Sequence, residues 1–169
     1  KWFFANTMAG GGNWEFQWYP GQDPLNIQSR GGNLHLTPTL TSDLFGETFL
    51  TTQRVVIPAD QCTQADWYGC DRQGTPDNPI NVIRSTRVDS SRSFSFVYGE
   101  MEIRAKGPAG DWLWPALWLM PRDSVYGGWP ASGEIDMFES RGNLKLFDPN
   151  NWVNVGAEQF GSTMHFGPR

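Results

Sequence analysis

The sequence is poor in cysteine, in basic residues and in long apolar runs. No run approaches the roughly 18 apolar residues of a membrane span, and no charged-then-apolar segment opens the chain. A soluble chain, mature or trimmed, is expected. Lys and Arg total 13 against 18 Asp and Glu, a formal charge of −5, and the basic residues never cluster. Nucleic acid and anionic membrane surfaces are therefore not expected partners.

The two cysteines, Cys62 and Cys70, lie in CTQADWYGC, a segment of polar and turn residues. A short-loop disulfide in a secreted, extracellular protein is the leading reading, with reduced thiols in a cytosolic loop as its alternative. Two thiols with no nearby His supply too few ligands for a metal.

Helical length is also lacking. The chain has 19 Gly and 12 Pro, which punctuate it too often for long helices. At 169 residues it has room for one domain with a real core and is too short to argue for two.

What is present is β-patterned. Period-two or β-rich stretches occur at 14–19, 33–40, 48–57, 80–89, 93–106, 114–120, 134–140 and 153–160, separated by turn signals such as GG at 31–32 and GPAGD at 107–111. Residues 58–79 lack the pattern and read as a long loop. An all-β sandwich is predicted. The last residues, GSTMHFGPR, read as a strand and turn with no closing strand after them. The expectation is a domain truncated at its C-terminal end, because such sandwiches often run to about 200–250 residues.

The stretch GEIDMFES carries Glu134, Asp136 and Glu139 at offsets zero, two and five. A helix would spread them to about 0, 200 and 140 degrees around its axis, so it does not converge them. A regular strand puts Glu134 and Asp136 on one face and Glu139 on the other. One extra residue, a β-bulge at Met137 or Phe138, restores Glu139 to the face of the other two.

Two carboxylates on one face suit a retaining glycoside hydrolase, with their carboxyl groups about 5 to 5.5 Å apart. Asp136 between them would share a proton or hydrogen bond with the nucleophile and help set its charge. The plain alternative is an edge strand whose acids keep it soluble.

The surroundings favour chemistry. WLWPALWLMP lies just upstream, and Trp129 stands five residues before Glu134. Sugar rings stack on indoles, and a cleft lined by tryptophans with a few polar groups is what a carbohydrate site requires. At least half of the nine Trp are expected in the core; Trp114 and Trp129 are the cleft candidates. Trp114 and Trp118, an even number apart, would share a strand face.

WPALWLMP followed by WPASGEIDMFES resembles the signature of glycoside hydrolase family 16, in its laminarinase branch. GGGNWEFQWY, LTPTLTSDLFGE, FSFVYGEMEIRAK and DWLWPALWLMPRD look most like invertebrate endo-1,3-β-glucanases and the related β-1,3-glucan recognition proteins. The resemblance covers nearly the whole chain. It implies a concanavalin A-like β-sandwich jelly roll of two curved antiparallel sheets, with Glu134 as nucleophile, Asp136 as assisting acid and Glu139 as general acid and base.

The same resemblance offers Arg87 as a contact of the nucleophile or sugar, Asn33 as a sugar contact and His165 as a cleft histidine. Each has a plainer reading: a surface ion pair, turn chemistry before a strand, and a packing residue. His35, alternating with Leu34 and Leu36, belongs to a strand surface. No catalytic metal or cofactor is implied; a structural calcium is a family feature whose ligands the sequence does not assign. Relatives commonly carry Ile-Met where this chain has Met137 and Phe138, both still apolar.

Two functions follow from the resemblance. One is endo-hydrolysis of β-1,3-glucan with retention, by a monomer. The other is non-catalytic recognition of β-1,3-glucan in innate immunity. The recognition branch typically lacks one or more of the three acids, and their presence here favours the enzyme.

Overall fold

The structure, a computed structural model, describes residues 2–168. Its contacts divide the chain into two compact units, Lys1–Phe94 and Ser95–Arg169.

The first unit contains strands β1 (Phe3–Phe4), β2 (Asn6–Thr7), β3 (Gln17–Pro20), β4 (Ile27–Arg30), β5 (Asn33–Leu36) and β6 (Thr39–Leu40). Helices α1 (Thr41–Phe45) and α2 (Glu47–Thr52) follow, then β7 (Arg54–Val56), β8 (Asp71–Gln73), β9 (Ile83–Arg84) and β10 (Val88–Asp89). A four-stranded sheet runs in the order β2-β3-β9-β6, and β1-β10, β4-β5 and β7-β8 form pairs. The GG signal makes the β4-β5 turn, with Gly31 at φ 58° and Gly32 at φ 77°.

The core of this unit is Met8, Leu50, Val55, Ile57, Cys70 and Ile80. Beside it Arg84 and Asp23 form a buried ion pair, with the guanidinium lying over the Trp18 and Phe45 rings. The Arg84 carbonyl accepts from the buried Asn26 amide at 3.2 Å. Charges removed from water this far require pairing of this kind. The disulfide joins Cys62 to Cys70, as the short-loop reading expected.

Residues 48–52 are helical, not the first half of a strand. Phe45 and Phe49 stack at 4.4 Å across a break at Gly46, and Leu50 drops into the core. A four-residue aromatic spacing outweighed the β-rich composition. Residues 93–106, patterned for a strand, form none, and 58–79 is not all loop, since it supplies β8. Alternation states which face a strand would bury; it does not supply the neighbouring backbone that a strand must bond.

The second unit is built on β11 (Ala116–Leu119), β12 (Glu134–Ser140) and β13 (Phe160–His165), an antiparallel sheet in that order. Of the stretch 153–160, Asn154 makes an isolated bridge to Phe147 and Phe160 opens β13. No helix among the described residues is long and apolar enough to cross a membrane.

Candidate active site

The three acids sit on the central strand β12, and the misfit in their spacing is resolved by a bulge. On one side Leu117 faces Phe138 while Trp118 faces Asp136; on the other Asp136 faces Thr163 while Glu139 faces Gly161. Three residues of β12 therefore span two of β13. The extra residue falls at Met137 or Phe138, as predicted, and Ser162 Oγ donates to the Met137 carbonyl at 2.9 Å.

Glu134, Asp136 and Glu139 lie opposite His165, Thr163 and Gly161, an unbroken alternation on β13. Residues directly opposite in a ladder share a face, so all three acids and His165 point the same way.

Each acid has a distinct environment. Asp136 is 3% exposed, and its Oδ2 lies 3.1 Å from His165 Nε2. Glu134 accepts the indole N–H of Trp129, whose ring also packs against His165 at 5.4 Å between centroids. Glu139 accepts the indole N–H of Trp114 at 2.9 Å.

Local turns aim the two indoles. Ser132 Oγ donates to the Gly127 carbonyl at 2.6 Å and accepts the Tyr126 N–H at 3.0 Å, which closes the turn carrying Trp129. Trp114 precedes β11, where the chain still pairs with the end of β12: Gly142 N–H donates to the Leu113 carbonyl at 2.7 Å and Ser140 N–H to that of Pro115 at 3.3 Å.

Burial pushes the Glu134 carboxyl above its ordinary value, helped by the charge and hydrogen bond of Asp136. The Trp129 N–H is the main force in the other direction, and His165 adds to it. The site thus holds its first carboxylate in a balance between desolvation and donated hydrogen bonds.

Two further candidates lie in the first unit with partners of their own there. Asn33 donates from Nδ2 to the Gly31 carbonyl at 3.3 Å, the turn chemistry weighed for it. Arg87 accepts the Ala5 N–H on its carbonyl at 3.0 Å, and its charge favours the ionised form of Tyr19 against burial, which raises that phenol. His35, half-buried on β5, faces Gln28.

Sequence reasoning missed Ser132 and Ser162, which hold the turn and the bulge. A signal for Ser162 was present, because it alternates with Gly161 and Thr163 in the strand that ends at His165.

Among the described residues, one cluster has the side chains to hold a cation: Glu134, Asp136 and His165, with one ligand atom of each within 4.8 Å of the others. Calcium takes oxygen ligands, and a cluster that includes an imidazole does not fit a calcium ion.

A β-1,3-glucan-binding protein of Penaeus monodon is 44% identical over 172 residues, covering 99% of this chain and 45% of that protein. The chain is homologous to proteins named for β-1,3-glucan. A glucan endo-1,3-β-glucosidase of Cryptopygus antarcticus is 32% identical over 167 residues, covering 99% of this chain and 46% of that protein. The chain spans about half the length of these curated relatives. No family model matches.

The laminarinase of Rhodothermus marinus superposes with a TM-score of 0.57 at 22% identity, over 99% of this chain and 61% of that one. The fold is the jelly roll, as the resemblance implied, and the likeness to laminarinases read from WPASGEIDMFES is borne out.

Proposed function

We propose that the chain cuts internal β-1,3 bonds of a laminarin-type glucan with retention of configuration. The supporting observation is the bulge, which gathers Glu134, Asp136 and Glu139 on one strand face.

In this reading Glu134 attacks the anomeric carbon while Glu139 protonates the departing glycosidic oxygen. A glycosyl ester forms on Glu134, and Glu139 then takes a proton from the water that hydrolyses it. Asp136 accepts a hydrogen bond from protonated Glu134 and takes up its proton as Glu134 becomes the nucleophile. His165 holds Asp136 in place and stands beside the sugar. Trp114 and Trp129 commit their N–H edges to carboxylates and keep about half their surface exposed for stacking on glucose. No cofactor is used. The disulfide supports a secreted protein, and a monomer suffices for the chemistry.

The second reading, recognition of β-1,3-glucan without cleavage, draws on the Penaeus monodon relative, named for binding. Reducing-sugar release from laminarin by the parent and by Glu134→Gln, with laminarin binding measured for both, separates the two. Release by the parent alone, with binding kept in the variant, supports the hydrolase. Binding without release by either overturns it in favour of recognition.

A further inference from the structure

Every non-glycine residue with a left-handed φ among the described residues is aromatic: Trp14, Trp67, Tyr68, Trp112 and Trp152. Bulky side chains rarely adopt this conformation, and where they do the surrounding structure holds them in it. Three of the five, Trp14, Trp67 and Tyr68, lie in the first unit and are 75%, 51% and 71% exposed. Hydrophobic burial therefore does not account for their placement.

Trp14 and Trp67 stack at 6.3 Å between centroids, only 17° from parallel. Trp67 and Tyr68 also line an open groove of about 1010 Å³, with the Cys62–Cys70 disulfide in its wall. The loop that carries them is fixed from below. Thr7 Oγ donates to the Gln64 carbonyl at 2.6 Å, Met8 N–H to the Gly69 carbonyl at 2.6 Å, and Arg72 to the Trp67 carbonyl at 3.3 Å. Gly69 has no room for a side chain, since a Cβ there would stand 2.2 Å from the Gln64 carbonyl oxygen.

The groove lining is electrically quiet. Its one carboxylate, Asp71, is held by Arg54 through two hydrogen bonds of 2.7 and 2.6 Å. The remaining polar groups include Thr63, Gln64 and the Tyr68 phenol. Flat indoles, neutral hydrogen-bonding groups and a fixed loop are the features that bind an uncharged sugar chain through its apolar faces.

We propose that Trp14, Trp67 and Tyr68 form a stacking platform for a neutral β-glucan chain. The choice of glucan rests on the proposed function; the platform itself rests on the geometry of these three residues. A platform spanning more than one ring gains from a long ligand, so it favours polymer over fragment.

The test uses the whole chain, with laminarin and a short β-1,3-linked oligosaccharide as probes in affinity electrophoresis and calorimetry. Trp14→Ala, Trp67→Ala and Tyr68→Ala are each expected to weaken laminarin affinity by about three- to tenfold, the range of a single stacking contact. Hydrolysis of the short oligosaccharide is expected to stay at the parent rate. Laminarin affinity equal to the parent's in Trp14→Ala and Trp67→Ala overturns the platform alone. A parent that binds no laminarin overturns both the platform and the glucan reading. If near-ultraviolet dichroism shows Trp67→Ala to be unfolded, Trp14→Ala decides, because its indole is three-quarters exposed.

Discussion

Trp129 donates its indole N–H to Oε2 of Glu134, the carboxylate five residues further along the chain. A donor aimed at a carboxylate favours the ionised form, which Glu134 needs in its proposed role as nucleophile. The contact opposes the burial and the Asp136 charge that push this group upward.

Trp129→Phe keeps the ring and removes the donor. The Glu134 pKa then rises further, and the acid limb of kcat/KM on laminarin moves to higher pH. The expected loss is about fivefold on the acid side, the scale of one hydrogen bond, with the alkaline side little changed. A pH–rate profile checks this, and an unmoved limb would disconnect the indole from the nucleophile.

Asp136→Asn has the opposite sign on the same limb. The charge and hydrogen bond of Asp136 both raise the Glu134 pKa, so removing the charge lets Glu134 ionise at lower pH. The plateau of kcat should nevertheless fall by about 10- to 100-fold, because the proton partner is lost. Opposite displacements of the acid limb in Trp129→Phe and Asp136→Asn, measured in one buffer series, are the expected result.

Deleting Met137 tests the bulge directly. The acids then stand at offsets zero, two and four, so a regular strand without a bulge keeps Glu139 on the face of Glu134 and Asp136. Hydrolysis should fall by less than the roughly 100-fold that losing a positioned general acid costs, while far-ultraviolet dichroism stays like the parent's. A loss of at least about 100-fold in a folded variant would show that the bulge, and not the shared face alone, organises the site.

Cys62→Ser opens a short loop beside the core. The chain-entropy estimate for a loop of this size is roughly 2 to 3 kcal/mol of lost stability, read from the urea midpoint at constant slope. A midpoint equal to the parent's would mean that Thr7 and the backbone bonds fix the loop unaided.

Much of the site was legible because its information is local. The parity of three acids along eight residues already demanded a bulge, and the ladder on both sides of β12 contains one. The paired cysteines and the GG turn were legible for the same reason, since each is settled within about ten residues. Trp114 and Trp129 were picked out as aromatic surfaces, but the direction of their N–H groups was not, because it depends on turns closed by Ser132 and by the pairing of Gly142.

The sequence by itself determined the β character, the turn positions, the cysteine pairing and the face on which the acids gather. Tertiary structure alone decided that 93–106 forms no strand, that 48–52 is helical, and that Arg84 and Asp23 meet across 61 residues. Side-chain alternation is a property of the strand itself, whereas a strand's existence and a buried charge's partner depend on backbone and side chains supplied from elsewhere in the chain.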